Sequence, residues 1–394
     1  MSAYDWVPDQ CAIVGIGTTA FTKESGVSVT ALAAEAALKA IADAGLKPSD
    51  IDGLVRSDYD QTSQVALADA LGIDDISYWG QTGPGGSGPS GMVAQAAAAI
   101  TSGQATHVLV YRALNGRSGR RLGKGVSVTG GVGGESTYLE LFSPYGVTSP
   151  GQFFAMLARR HMSKHGLTEQ ALAEIALVSR RRANANPAAQ MYGRELSRDD
   201  YFGARLISDP LRLFDFCLET DGAAAVVVTT TERARDLAQQ PALIRSVAQG
   251  TGVRVGPGQM YPVLMGESLD HLPSRRTAQR LFERAGLTPG DVDVAQIYDC
   301  FTVTVYLQLA DYGFCKPDEV SAFIEGGGLD LGGPIPINTA GGQLSEGYIH
   351  GMNHIVEGVR QIRGTSTSQV PGAEVSLVTS APPPGSSALL LVAA

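Results

Sequence analysis

The chain has 394 residues, of which 44% are hydrophobic and 18% charged, and a formal net charge of −9. That length suggests roughly two to three domain-sized units able to bury a large core. The acidic balance argues against sequence-independent nucleic-acid binding, and no run of about 18 consecutive apolar residues marks a membrane span. The opening MSAYDWVPDQ lacks a basic stretch followed by an apolar one, so no signal peptide is expected. Cys11, Cys217, Cys300 and Cys315 form no C-x-x-C pair. Neither a zinc site nor a disulfide framework is indicated, and a reducing cytoplasm is the simplest compartment.

In chain order, CAIVGIG reads as a buried strand. The GIGTTA that closes it (Gly15 to Ala20) matches the loose dinucleotide fingerprint G-x-G-x-x-A. That fingerprint needs a helix to open at once, so that its N-terminus meets the pyrophosphate. Polar FTKESGVS intervenes here, and a strand-end turn is the preferred reading. VTALAAEAALKAIADAGL then repeats apolar residues at three and four, the spacing of a helix with one buried face. GMVAQAAAAITSG reads as an Ala-rich helix and THVLVYRAL as another strand. Alternating strands and helices predict a mostly parallel sheet covered on both sides. Residues from about 115 to 210 are rich in Gly, Arg and Ser, with helices at FFAMLARRHMSKHG and TEQALAEIALVSRRRANA. They read as an insertion that covers an active site. DGAAAVVVTT (Asp221 to Thr230) returns to core-strand character.

The chain repeats itself once. AGLKPSDID (Ala44 to Asp52) recurs as AGLTPGDVD (Ala285 to Asp293), each after an amphipathic helix, the second being RRTAQRLFERAGL. Gly45 and Gly286 stand where a helix C-cap needs a left-handed residue. One repeat this long predicts a duplicated α/β half rather than a solenoid. The expected halves are residues 1–240, including the insertion, and 241–394.

The most informative segment is NTAGGQLSEGYIHGMNH, Asn338 to His354. It resembles the thiolase active-site loop N-x-x-G-G-x-x-x-x-G-H-P-x-G: Asn338, Gly341, Gly342, Gly347 and Gly351 fall in place. Tyr348 stands where thiolases carry a catalytic His, and Ile349 where they carry Pro. Together with VGIGTTAFTK, SRRRANANPAA, LETDGAAAVVV and YDCF (Tyr298 to Phe301), it makes nearly the whole chain similar to the thiolase superfamily. The resemblance is strongest to the sterol-carrier or lipid-transfer branch, which usually writes HDCF where this chain has YDCF. It implies an α/β thiolase fold, five-layered, with two duplicated halves and a dimeric assembly.

The chemistry differs from that of a thiolase. A thiolase nucleophile is a Cys at a helix N-terminus, in the pattern C-x-x-G-x-x-A. Matching Gly91 and Ala94 of GGSGPSGMVAQA to that pattern puts Gly88 at the nucleophile position, with Ser87 one register off. The second reactive Cys position falls on Ser380, and the two His positions on Tyr298 and Tyr348. Cys300 is the nearest thiol to Tyr298 in the chain, and a packing role is preferred for it. Covalent thiolysis is therefore not expected. A phenol titrates near pKa ~10 and both donates and accepts hydrogen bonds. Two of them suit a retro-aldol cleavage, in which a base takes a β-hydroxyl proton and an acid protonates the resulting thioester enolate.

The pattern resembles the steroid side-chain aldolases of the lipid-transfer group. That resemblance implies catalytic roles for Tyr298 and Tyr348, with base and acid left unassigned. It implies a β-hydroxyacyl-CoA substrate, specifically a 17-hydroxy steroid CoA ester cleaved to a 17-ketosteroid and propionyl-CoA. It also implies a separate OB-fold and zinc-ribbon partner protein. No cofactor is expected, CoA being part of the substrate. His350 and His354 have the i, i+4 spacing of a metal pair, but no third ligand is near in the sequence, so no metal is expected. An orienting hydrogen bond is an alternative role for His350. Glu346 is weighed as a proton partner of Tyr348, and Asn338 as a loop clamp through side-chain-to-backbone bonds. Asp299, by strand alternation, points away from Tyr298. The basic runs SRRRANAN and NGRSGRRLGKG (Arg117, Arg120, Arg121) read equally as phosphate sites or solvated ends. Two other functions stay open: an acyl transferase using Ser87, and a non-catalytic acyl-CoA or lipid carrier.

Overall fold

The computed structural model describes residues 6–83, 85–119, 143–251, 271–381 and 385–394. The first half runs β1 (Cys11–Thr18), α1 (Val29–Asp43), β2 (Gly53–Ser57), α2 (Gln64–Leu71), β3 (Tyr78–Thr82), α3 (Pro89–Thr101) and β4 (Val108–Asn115). An inserted segment follows, holding α4 (Pro150–His165), α5 (Glu169–Ala185), α6 (Arg198–Gly203) and the short pair β5 (Leu206–Ser208) and β6 (Leu211–Arg212). The core resumes with β7 (Asp221–Thr230) and α7 (Thr231–Ala234). The second half is β8 (Ala242–Thr251), α8 (Ser274–Ala285), β9 (Val294–Gln296), α9 (Thr302–Asp311), α10 (Val320–Glu325), α11 (Gly342–Ser345), α12 (Met352–Arg363), β10 (Val375–Ser380) and β11 (Gly385–Val392).

The strands lie in the order β3-β2-β4-β7-β1-β8-β11-β10-β9. Read outward from the β1–β8 seam, β7 matches β11, β4 matches β10, and β2 matches β9, with the same relative directions. The internal repeat of the sequence is thus a repeat of topology. Its signature glycines do the same job in both copies: Gly45 (φ +75) and Gly286 (φ +65) are left-handed residues after α1 and α8. Each is followed by a one-turn 3₁₀ helix, Pro48–Asp50 and Pro289–Asp291. The sheet is mixed, not mostly parallel. β7 and β11 run antiparallel to both neighbours, while β2–β3, β2–β4 and β9–β10 are parallel. Apolar runs report burial on both faces, which parallel and interior antiparallel strands share, so direction was not legible from them.

Alternate residues of the central strands enter different cores, which makes five layers. Ala12, Val14, Ala223, Ala225 and Val227 pack outward with α1. Ile13, Ala224, Val226 and Val228 face inward onto α3 and α12, and Leu389 and Leu391 of the second half reach the same helices from the other side. Ala388 and Leu390 face the opposite way, with α8 and α9. The GIG turn is explained by packing: a Cβ on Gly15 or Gly17 would collide with the α1 backbone at Ala40 or Ala36. The inserted segment joins the core of the second half, with Phe154 stacked on Phe301 at 4.5 Å. Its helices therefore pack in the same core as Tyr298. Arg120 and Arg121 fall outside the described residues.

Candidate active site

Tyr298 does not sit in a strand. β9 ends at Gln296, and residues 297–300 form the connection to α9. Backbone groups clamp that connection. Tyr298 N donates to Thr379 Oγ1 (2.9 Å), and its carbonyl accepts from Gln308 Nε2 (2.8 Å) and Thr304 Oγ1 (3.1 Å). Asn338 bridges both backbone groups of Ile297: its Oδ1 accepts from N (2.7 Å) and its Nδ2 donates to O (2.9 Å). It does so from φ +46, a conformation Asn tolerates better than most residues.

Asp299 points the other way and organises the glycine loop. It accepts from the amides of Gln343 (2.9 Å) and Leu344 (3.2 Å) and pairs with His354 Nε2 at 2.9 Å. Any side chain at Gly342 would collide with this carboxylate. Gly341 backs onto Ala183 and Gly347 onto the Phe21 ring. The loop delivers Tyr348, whose N donates to Thr220 Oγ1 (2.9 Å). His354 and His350 do not converge on one point, because each turns to its own partner.

The two tyrosine hydroxyls come together. Tyr298 is fully buried, and its hydroxyl has no well-formed hydrogen bond to the protein. It lies close enough to the Tyr348 hydroxyl for each phenol to influence the other's ionisation. The Tyr348 residue keeps partial exposure while its hydroxyl sits deep. Burial pushes both phenols well above the ordinary value, but their neighbours differ. Tyr298 is raised further by Tyr348 and Cys300. Tyr348 is raised by Cys217 and Cys300 but eased down by the Tyr298 hydroxyl and the Arg112 charge.

Cys300 and Cys217 flank the pair, and Cys217 N donates to the Cys300 carbonyl (3.0 Å). Burial raises both thiols well above the free value, so neither is a thiolate nucleophile. Cys217 was not singled out from the sequence, and no spacing pattern pointed to it.

The loop before α3 brings a second glycine to the site. Gly88 caps α3, and its missing side chain faces the carbonyls of Gly85 and Thr82, each 3.2 Å away. Gly86 lies under Tyr298, where an added Cβ would collide with Tyr298 Oη and Cζ. Glycine here gives the phenol its room. Gly86→Ala is expected to push Tyr298 off its position and lower turnover about 10²-fold, the scale of an ångström misplacement. Steady-state kinetics checks it; unchanged kcat would remove the contact from the argument. The Ser87 side chain is near Gly385, and its carbonyl accepts from Ser387 Oγ (2.6 Å). Ser380 is committed to α3: its Oγ accepts from Ser90 N (3.2 Å) and bonds Ser90 Oγ (3.1 Å).

Glu346 lies behind the loop rather than beside the phenols. Asn353 Nδ2 donates to it (2.9 Å), Arg360 Nη1 is 4.0 Å away, and its main influences include Glu357. Burial pushes it up to about 8, against the pull of Arg360. An acid with a raised folded pKa favours the protonated fold. Its contribution is complete below about 4.5 and is lost as pH rises toward about 8. Glu346→Gln is therefore expected to gain stability relative to the parent between pH 5 and 8 (about the window of that shift), read as denaturation midpoints against pH. A constant difference across that window would show that Glu346 does not titrate there.

Part of the run at 179–186 braces this loop, while Arg181 is exposed and pairs with Asp330. Arg180 Nε donates to Ser345 Oγ (3.0 Å), and Asn186 Nδ2 to the Ala340 carbonyl (3.1 Å). A further buried assembly lies beside Tyr348. Arg112 and Asp60, both without exposed side chain, pair at 2.9 Å, and Arg112 Nη2 meets His350 Nδ1 at 2.8 Å. The His350 ring sits edge-on to Tyr348 (5.0 Å) and to Tyr59 (6.1 Å). A lone arginine inside the apolar strand VLVYRAL was the signal for this assembly.

Residues 11–232 match the family described as Thiolase, N-terminal domain, and residues 263–393 that described as Thiolase C-terminal domain-like. The chain is 44% identical to a 17-hydroxy-3-oxo-4-pregnene-20-carboxyl-CoA lyase from Mycobacterium tuberculosis, over 97% of this chain and 99% of that one. It is 43% identical to a steroid side-chain-cleaving aldolase from Thermomonospora curvata, over 95% of each. Among solved structures, an Ltp2-ChsH2(DUF35) aldolase superposes with a TM-score of 0.92 at 42% identity, covering 98% of both chains. Human mitochondrial 3-ketoacyl-CoA thiolase, at 15% identity and a TM-score of 0.71 over 98% of this chain and 99% of that one, shares the fold alone.

Proposed function

The chain belongs to the thiolase family, and from that premise we propose that it is a carbon–carbon lyase, an aldolase that cleaves a steroid side chain carried as a CoA thioester. The substrate class is a 17-hydroxy steroid β-hydroxyacyl-CoA, and the products are a 17-ketosteroid and propionyl-CoA. One observation supports the mechanism: the buried Tyr298 hydroxyl lies over Gly86 and is coupled to Tyr348, with protonated thiols nearby. A site built this way moves protons and does not form an acyl-enzyme.

The phenols divide the work by their surroundings. Tyr348 acts as the phenolate, the form favoured by Arg112 and the Tyr298 hydroxyl; it takes the β-hydroxyl proton as the Cα–Cβ bond breaks and passes it to the Tyr298 oxygen after Cα is protonated, which restores the site. The bond pair flows into the thioester as an enolate, and the former carbinol carbon becomes a ketone. Tyr298, with no cation to ease it, holds its proton and delivers it to Cα. The reaction needs no cofactor beyond the CoA of the substrate.

The working assembly is a homodimer joined to a separate DUF35-type partner of OB-fold and zinc-ribbon build, acting in the cytoplasm. Supporting a second copy, β3 is an edge of the sheet and exposes Trp79, an open edge that proteins usually cover. No helix among the described residues is long and apolar enough to cross a membrane.

The deciding experiment mixes the chain and such a partner with a tertiary β-hydroxyacyl-CoA of a steroid and analyses products by mass spectrometry, without free CoA. Ketone plus propionyl-CoA is expected. Cleavage appearing only after free CoA is added would mean thiolysis. Tight binding with no cleavage under either condition would make the chain a carrier.

A further inference from the structure

We propose that His350 is a further catalytic residue, whose Nε2–H donates to the thioester carbonyl oxygen as that oxygen becomes an enolate. The inference rests on the aldolase reading above. It starts from an arrangement with no other evident purpose. Arg112 is a fully buried cation in the middle of β4, and Asp60 is its fully buried counter-ion. Burying such a pair is expensive, and apolar side chains of similar volume would cost less. What the pair accomplishes is seen at the other end of the guanidinium, which donates to His350 Nδ1 at 2.8 Å.

That contact settles the tautomer. Guanidinium has no acceptor, so Nδ1 must carry the lone pair and the ring proton must be on Nε2. The same cation, with burial, keeps the ring from gaining a second proton. His350 is therefore a neutral imidazole with its one N–H turned away from Arg112. Nε2 has no hydrogen-bond partner among the described residues, although His350 is 4% exposed. The ring is edge-on to Tyr348 at 5.0 Å, and its Cε1 is 3.8 Å from where a Cβ on Gly85 would lie. Nε2 is bonded to that Cε1, so its edge of the ring lies on the side of the Gly85 turn, beside Tyr348 and away from Arg112.

A retro-aldol step needs a donor there. Its two proton transfers are covered: the hydroxyl proton goes to Tyr348, and Cα receives one from Tyr298. Neither transfer neutralises the charge that builds on the thioester oxygen while the Cα–Cβ pair moves onto it. A fixed neutral N–H lowers that charge without giving up its proton, and a neutral imidazole polarising a carbonyl is a known solution elsewhere. Arg112 and Asp60 are positioning residues: they aim the ring and hold its tautomer, and they do not touch substrate.

The test compares the complex of wild-type chain and partner with His350→Leu and His350→Gln. Two rates are read: steroid side-chain cleavage, and α-proton exchange of propionyl-CoA in D2O, which forms the same enolate from the product side. His350→Leu should lower kcat and the exchange rate together by about 10²- to 10³-fold, with KM within about threefold, the signature of a donor needed only at the enolate. His350→Gln, which restores an N–H at similar reach, should recover at least about tenfold of the loss. Leucine-variant rates near wild type would overturn the inference while leaving the aldolase reading intact. Loss in both variants with KM rising in step would also overturn it, by making the residue structural. A wild-type complex that neither cleaves nor exchanges would bring down the aldolase reading itself, and His350 with it.

Discussion

Tyr348→Phe is expected to lower the rate of side-chain cleavage by about 10³-fold, within the range for loss of a positioned general base. Tyr298→Phe should lower it comparably, and the two variants should separate in a second assay. Exchange of the propionyl-CoA α-proton with D2O needs the group that handles the proton at Cα, which is Tyr298. It does not need the group that handles the hydroxyl proton. Tyr298→Phe should therefore lose cleavage and exchange together, whereas Tyr348→Phe should lose cleavage and keep most of its exchange. The reverse pattern would swap the roles; normal cleavage in both variants would end the mechanism. Folding should barely change. The Tyr298 hydroxyl is buried without a well-formed partner, so removing it forfeits no protein hydrogen bond of full strength. The Tyr348 backbone is held by Thr220 independently of its ring.

Asp60→Ala is expected to be the most damaging single change to stability away from the phenols, at about 3–5 kcal/mol. The carboxylate is wholly buried and does three things at once. It neutralises Arg112 at 2.9 Å, accepts from Ser57 N (3.0 Å) and accepts from Ala113 N (2.9 Å). Removing it strands a guanidinium in the layer between β4 and the glycine loop. Arg112→Met is expected to cost less, because Asp60 keeps its two backbone donors and methionine fills much of the volume. It should still depress cleavage, because His350 loses the contact that sets its tautomer. Urea midpoints for the two variants would check the order. A midpoint for Asp60→Ala equal to that of the parent would mean that Arg112 finds another anion or reaches water.

Much of this was legible without coordinates, and the reason is that it is local. Helix periodicity, the capping glycines Gly45 and Gly286, and the repeated turn after each are written in short segments. They map onto matching elements of the two halves. The glycine loop was recognisable because close backbone approach leaves no substitute for glycine at Gly342, under the Asp299 carboxylate. Asn338 could be read as a clamp because its side chain bonds backbone in a way few residues can. Tyr298 and Tyr348 stood out as phenols at positions where the resembled family carries imidazole.

What failed or was missed depends on contacts distant in the chain. Strand direction was misread because apolar runs carry no sign. Gly86 was not singled out, because which glycine lies under Tyr298 depends on how the turn before α3 meets the β9–α9 connection. Glu346 neighbours Tyr348 in sequence yet turns toward Asn353 and Arg360. Arg180 and Asn186 looked like surface groups until the inserted helices folded onto the loop. By itself the sequence determined the duplicated fold, the glycine loop and the replacement of reactive residues by tyrosines, because propensity, periodicity and backbone sterics act within a few residues. Only the tertiary structure decided that Cys217 joins the phenols, that Asp60 and Arg112 meet His350 across more than half the chain, and that burial raises both hydroxyls with different charged neighbours, because burial and charge pairing arise only when distant segments exclude water together.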